Sequence, residues 1–184
     1  MGNNINLAKS SEEQIAKQIL KRLNYSDKNI AIPIIKIAKN SGFKVYHENF
    51  FRSGESEIAG KLLIGDISKE KYGSSQVILV NRGDHLFAQR LVVAKMLGSY
   101  LVDGLDEQDM YSEDLSTSLT YEKIYDKQED FALNILAPDN IFIHQYNLAI
   151  NNGLPPIGVT SYLSRFFEVP EEFVYRKVKS LTRM

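Results

Sequence analysis

Apolar residues along this chain follow two spacings, one helical and one strand-like. Over residues 11–24, Ile15, Ile19, Leu20 and Leu23 recur at helical spacing, which puts them on one face of an amphipathic helix. Ser10 followed by Glu13 is a capping-box signature at its start. A second helix is predicted over 33–40, with Pro33 in its first turn and Gly42 just past its end. The spacing then shortens. FKVYHE (43–48) alternates, while EIAGKLLIG (57–65) and QVILVN (76–81) are rich in Ile, Val and Leu, so three strands are expected. Their connections, NFFRSGES and DISKEKYGSS, carry Gly and Ser and read as turns. The strands together are expected to form a small meander packed on helices.

Helical spacing returns over 84–102. Within it, RLVVAKMLGSYLV is apolar on nearly every side, yet Lys95 and Ser99 stand one turn apart at its centre. A polar acidic stretch, DGLDEQDMYSEDLSTS, is expected to be a loop. Helices are predicted over 119–136, which ends before Ala137-Pro138, and over 139–151, which Gly153-Leu154-Pro155-Pro156 breaks. Two short helices close the chain. One spans 160–167. The other starts at Pro170, has Glu171 and Glu172 in its first turn, and repeats at Val174, Val178 and Leu181. The predicted fold class is α+β: a small three-stranded, mainly antiparallel sheet flanked by helices, with a helical C-terminal extension. Residues 1–152 are read as the main domain and 153–184 as a hairpin packed on it.

Composition narrows the functions available. Hydrophobic residues make up 43% of the 184 residues, enough to bury a globular core. The 22 basic side chains are balanced by 23 acidic ones, so no overall electrostatic grip on nucleic acid is indicated. The absence of cysteine removes disulfides, thiolate metal sites and cysteine nucleophiles together. The polar start MGNNINLAKSSEEQ is unlike a secretion signal. Its MG start is only weak evidence for myristoylation, because Asn6 stands where Ser or Thr is wanted. No apolar run approaches the roughly 20 residues needed to span a bilayer, and a soluble cytoplasmic protein is expected.

Four strings in order now point to a family. The frame Arg90-Leu91-Val92-Val93-Ala94-Lys95-Met96-Leu97-Gly98-Ser99-Tyr100-Leu101 resembles the central helix of the ImmA/IrrE-type metallopeptidases, approximately R-F-x-x-A-H-E-L-G-H-Y-L. Downstream, YDKQEDFALNILAP supplies Phe131-Ala132 and Ile135-Leu136-Ala137-Pro138. IPIIKIAKNSGFKVY is similar to the family's opening helix and first strand, and LSRFFEVPEEFVYRKVKSL to its closing helix pair. The resemblance covers most of the chain from about residue 30. It implies a zincin-like α+β fold and descent from enzymes that cleave phage-type or stress-response repressors.

This resemblance also shows what is missing. A zincin places two imidazoles at i and i+4, on one helix face and within reach of one zinc ion. A glutamate between them acts as base on the metal-bound water. In this chain the two histidine positions fall on Lys95 and Ser99, and the base position on Met96. The third, acidic ligand position falls on Tyr125, with Lys127 at a nearby position that is also often acidic. A slip of one residue would offer Asp126, but one carboxylate cannot hold zinc. A lysine ammonium has no lone pair to give. His47, His85 and His144 lie on or beside other elements without metal-ligand spacing. Lys95, Met96, Ser99 and Tyr125 therefore read as a vestigial site with no metal ligand, no cofactor and no catalytic residue. Hydrogen bonds among Lys95, Ser99 and Tyr125 are expected to fill the space.

The function this implies is a catalytically inactive relative that binds a protein or peptide in phage- or mobile-element-type regulation. A helix-turn-helix repressor is the partner class the family points to. Peptide binding is expected along a sheet edge near 57–65 or 76–81. Two alternatives stay open. Lys95 and Ser99 could form a Ser–Lys hydrolytic pair. The C-terminal pair has the look of a helix-turn-helix, although residues 160–184 carry only five basic side chains against three acidic ones. The acidic stretch 103–114 lacks EF-hand spacing and reads as a solvated loop.

Overall fold

The computed structural model describes residues 11–23, 25, 31–50, 58–103, 111–114 and 127–182. These residues form α1 (Ser11–Arg22), α2 (Ile34–Asn40), β1 (Lys44–Glu48), β2 (Ile58–Ile64), α3 (Asp66–Tyr72), β3 (Gln76–Asn81), α4 (Leu86–Asp103), β4 (Tyr111–Asp114), α5 (Lys127–Leu136), α6 (Asp139–Asn151), α7 (Pro156–Phe167) and α8 (Glu171–Thr182). The α+β class and the helical C-terminal part are as the sequence predicts. Ser10, the expected cap of α1, lies outside the described residues.

The sheet is where the sequence reading needs correction. It is a four-stranded mixed sheet in the order β1-β3-β2-β4, not a three-stranded meander. β1 runs parallel to β3, with Lys44 opposite Val77 and Glu48 opposite Asn81. β2 is antiparallel to β3 on one side and to β4 on the other. The reason lies in the strands themselves. QVILVN is apolar at consecutive positions, and Val77 to Asn81 are all buried, so β3 takes neighbours on both edges. KVYHE has no fully buried residue and suits an edge. β4 comes out of the stretch expected to be an acidic loop.

The β2–β3 connection, read as a turn, contains helix α3. The only aliphatic residue of α3, Ile67, is 74% exposed, so the helix has no apolar stripe to betray it. Hydrogen bonds within the connection and to β1 hold it instead. Ser68 Oγ donates to the carbonyls of Gly65 and Ser74, at 3.0 and 2.8 Å. Lys44 Nζ on β1 donates to the Tyr72 and Gly73 carbonyls, and Tyr72 donates its hydroxyl to Glu48 at 3.0 Å.

α4 lies at the centre, packed on β2 and β3 on one side and on α5, α2 and α1 elsewhere. Residues 92–99 are all buried, which is why its sequence is apolar around nearly the whole circumference. Two glycines allow the close packing. A Cβ on Gly60 would stand 2.4 Å from Val92 Cγ1 and 2.7 Å from the Leu79 carbonyl oxygen. A Cβ on Gly98 would meet Phe131 of α5 at 2.8 Å.

The closing helices join the same core through Val159, Leu163, Phe167, Phe173 and Val174. Phe167 stacks on Phe142 of α6, with ring centroids 5.6 Å apart. α7 begins at Pro156, earlier than the predicted 160, because Pro at the first helical position is preset for a helix. No described helix is long and apolar enough to cross a membrane.

Candidate functional site on the central helix

The structure places Lys95, Met96 and Ser99 together in the middle of α4, with exposures of 5%, 1% and 1%. Ser99 Oγ donates to the Lys95 carbonyl at 3.2 Å. That bond is a serine satisfying itself on its own helix, one turn back. The network expected among Lys95, Ser99 and Tyr125 includes a residue beyond those described. Tyr125 and Asp126 lie outside the described residues. Lys95 is not left unpaired.

The chemistry of these groups decides what the site can do. An ammonium, a thioether and an alcohol sit where the resemblance puts imidazole, carboxylate and imidazole. None of the three suits zinc, which takes imidazole nitrogen, thiolate or carboxylate oxygen. Met96 cannot accept a proton from water. The histidines lie elsewhere: His47 on β1, His144 on α6, and His85 just before α4, where its Nδ1 accepts the Phe87 N–H at 3.3 Å. Among the described residues, no three or more His, Cys, Asp or Glu side chains gather to hold a metal. Ser99 is also poorly placed as a nucleophile, because its hydroxyl is buried and its proton is directed at the backbone.

The edge expected to bind peptide must be relocated. Residues 57–65 and 76–81 form β2 and β3, the two interior strands, whose backbone groups are already paired on both sides. The outer strands are β1 and β4.

The C-terminal hairpin spends two of its cations within the fold. Arg176 pairs with Glu129 and Lys177 with Asp139, both on neighbouring helices. Glu171 and Glu172 are exposed at the start of α8, where a groove-reading helix would meet phosphate. Arg183 lies outside the described residues.

Sequence reasoning missed the buried ionic groups. Lys177 is 2% exposed. It donates to Asp139 and, at 3.3 Å, to Asn134 Oδ1. The signal was available, since Lys177 falls between Val174 and Val178 on the apolar stripe of α8. Arg90 belongs to the motif frame, but its role appears only in three dimensions. Nη2 donates to the Ile32 carbonyl at 2.7 Å and Nε to the Glu168 carbonyl at 3.1 Å.

The model of the family described as IrrE N-terminal-like domain, Peptidase_M78, matches residues 51–179. That span runs from before β2 into α8 and includes the whole of α4 and most of the hairpin. No curated protein matches the chain.

Proposed function

Because this chain belongs to the IrrE N-terminal-like family, Peptidase_M78, we propose that it is a catalytically inactive relative of that family's metallopeptidases and acts by binding another protein. The observation that carries this reading is the state of α4. At the positions where a working relative needs ligand, base and ligand, this chain has Lys95, Met96 and Ser99, sealed in the core. The scaffold around it is closely packed: Gly98 lets α5 close on α4, the sheet lies beneath it and helices surround it. A fold that keeps its packing while its reactive groups are replaced is suited to recognition rather than turnover.

The setting is regulation of the phage or mobile-element type in the cytoplasm, with a helix-turn-helix repressor as the partner class. This last step rests on analogy with the family. The reading as a Ser–Lys hydrolase is disfavoured by the burial of Ser99 and its backbone bond. The reading as a DNA-binding hairpin is disfavoured by the pairing of Arg176 and Lys177 and by the carboxylates at the start of α8.

The test is elemental analysis of the purified chain, joined to a proteolysis assay on any repressor recovered with it. The expected result is no stoichiometric zinc after dialysis, with the bound repressor left uncut. About one zinc per chain, or metal-dependent cleavage of the repressor, would overturn the reading.

A further inference from the structure

The surface formed by α6 and α7 differs from the rest of the molecule. Residues 140–167 contain no Asp, Glu or Lys, in a chain that is 24% charged. Their only formally charged side chain is Arg165. On the same stretch Ile143, Leu148, Ile150, Leu154 and Ile157 are exposed, Ile157 at 77%. A shallow groove of about 560 Å³ runs along α7, lined by Leu154, Gly158, Ser161, Tyr162, Arg165 and Phe166. Arg165 is exposed and makes no ion pair among the described residues. The Tyr162 hydroxyl is held by Gln145 at 2.6 Å and the Ser161 hydroxyl by Glu171 at 2.6 Å. Both side chains lining the groove are thus fixed from below or beside it.

An exposed surface depleted of charge, rich in large aliphatic groups and keeping one arginine has the composition of an interface core. We propose that this α6–α7 surface docks an amphipathic helix of another protein, presenting apolar side chains to the groove and a carboxylate to Arg165. A helix is favoured over an extended strand because the groove is lined by α7 and the turn before it, and the backbone groups of α7 are already bonded internally. Strand addition needs an open sheet edge, whereas helix-in-groove recognition needs only side chains.

Charge selects among the possible occupants. In a symmetric dimer the patch would face itself. Arg165 would then face a stretch, 140–167, without a carboxylate, and Glu171, the acid beside the groove, already accepts from Ser161 at 2.6 Å. An anionic membrane calls for a face rich in Lys and Arg, and this one offers a single Arg. A partner helix carrying an acid satisfies Arg165 and covers the aliphatic groups together. The surface is distinct from α4, so this inference stands whether or not the chain is catalytically inactive.

The test uses the intact chain and a displayed library of short amphipathic peptides with Leu anchors at helical spacing and randomised polar positions. Selected peptides are expected to carry Asp or Glu and to perturb NMR signals of α6 and α7. Ile157→Glu, at a largely exposed position, is expected to weaken binding by about tenfold or more. Arg165→Glu is expected to turn the selection toward Lys and Arg. The proposal is overturned if no peptide is enriched, or if the enriched peptides bind both variants as tightly as the parent. Sedimentation and vesicle flotation cover the other occupants. A dimer that Ile157→Glu dissociates, or flotation with phosphatidylserine vesicles that it abolishes, would replace the proposal with a second copy or a lipid surface. Circular dichroism matching the parent keeps each variant interpretable.

Discussion

Arg90 and Glu168 clamp the start of the central helix to the turn of the C-terminal hairpin. Glu168 sits in the left-handed region, φ 53° and ψ 52°, as the residue that ends α7. Its carbonyl accepts the Arg90 Nε proton at 3.1 Å, and its carboxylate lies 3.3 Å from Nη1. Burial pulls the Arg90 guanidinium below its ordinary pKa, and Glu168 pulls it back.

The two residues should respond differently to truncation. Glu168→Ala loses the carboxylate and keeps the cost of a left-handed backbone, while Glu168→Gly loses the carboxylate and relieves that cost. The glycine variant should be the more stable of the two by about 1 kcal/mol. Equal denaturant midpoints would mean that no strain is held at this turn. Arg90→Leu removes the charged donor that the Ile32 carbonyl shares with the Ile34 N–H, and takes the Nε donor from the Glu168 carbonyl, and should cost about 1–3 kcal/mol.

Lys177 supplies a test in pH. Burial lowers its pKa from the ordinary 10.5, against the raising effects of Asp139, Glu13 and Asp130. Between the lowered folded value and 10.5 the unfolded chain binds more protons than the folded one. Stability from this group therefore rises with pH through that window. Compared with Lys177→Met, the parent should gain stability as pH approaches 10.5. A gap that stays constant or moves the other way contradicts the assignment.

The same pair is asymmetric to mutation. Asp139→Ala strands a buried ammonium and should cost about 3 kcal/mol or more. Lys177→Met exchanges it for an apolar chain of similar length, leaving only an Asp139 that is 27% exposed, and should be neutral or stabilising. Urea melts at neutral pH separate the two outcomes.

Gly98 and Phe131 are in steric conflict the moment a methyl group is added. Gly98→Ala should destabilise by about 1–3 kcal/mol through overpacking. Combining it with Phe131→Leu should cost less than the sum of the single changes, since the smaller side chain relieves the clash. Strict additivity would show that α4 and α5 do not meet at this point.

Lys95→Met should be neutral or mildly stabilising, because an apolar chain often replaces a buried paired cation without loss. A loss above about 2 kcal/mol would show that the fold requires the Lys95 charge.

The sequence by itself determined which segments form α1, α2, α4 and the first three strands, since hydrophobic spacing is a local property of each segment. It also held the resemblance that led to the family, because a motif frame is linear. It carried the chemistry of the altered site too, since Lys95, Met96 and Ser99 can be read without knowing where they point. Tertiary structure alone decided the order of the strands. Pairing joins residues far apart in the chain, and β3 takes the centre because only there are both of its apolar faces and both edges covered. The same holds for β4, whose polar residues find a strand conformation only beside β2, and for α3, which is held by bonds to β1 rather than by a stripe of its own. Arg90 and Lys177 belong to this second class. A charge on an apolar stripe is visible in sequence, but the carbonyls and carboxylates that make its burial tolerable come from other elements and meet it only when the chain has closed.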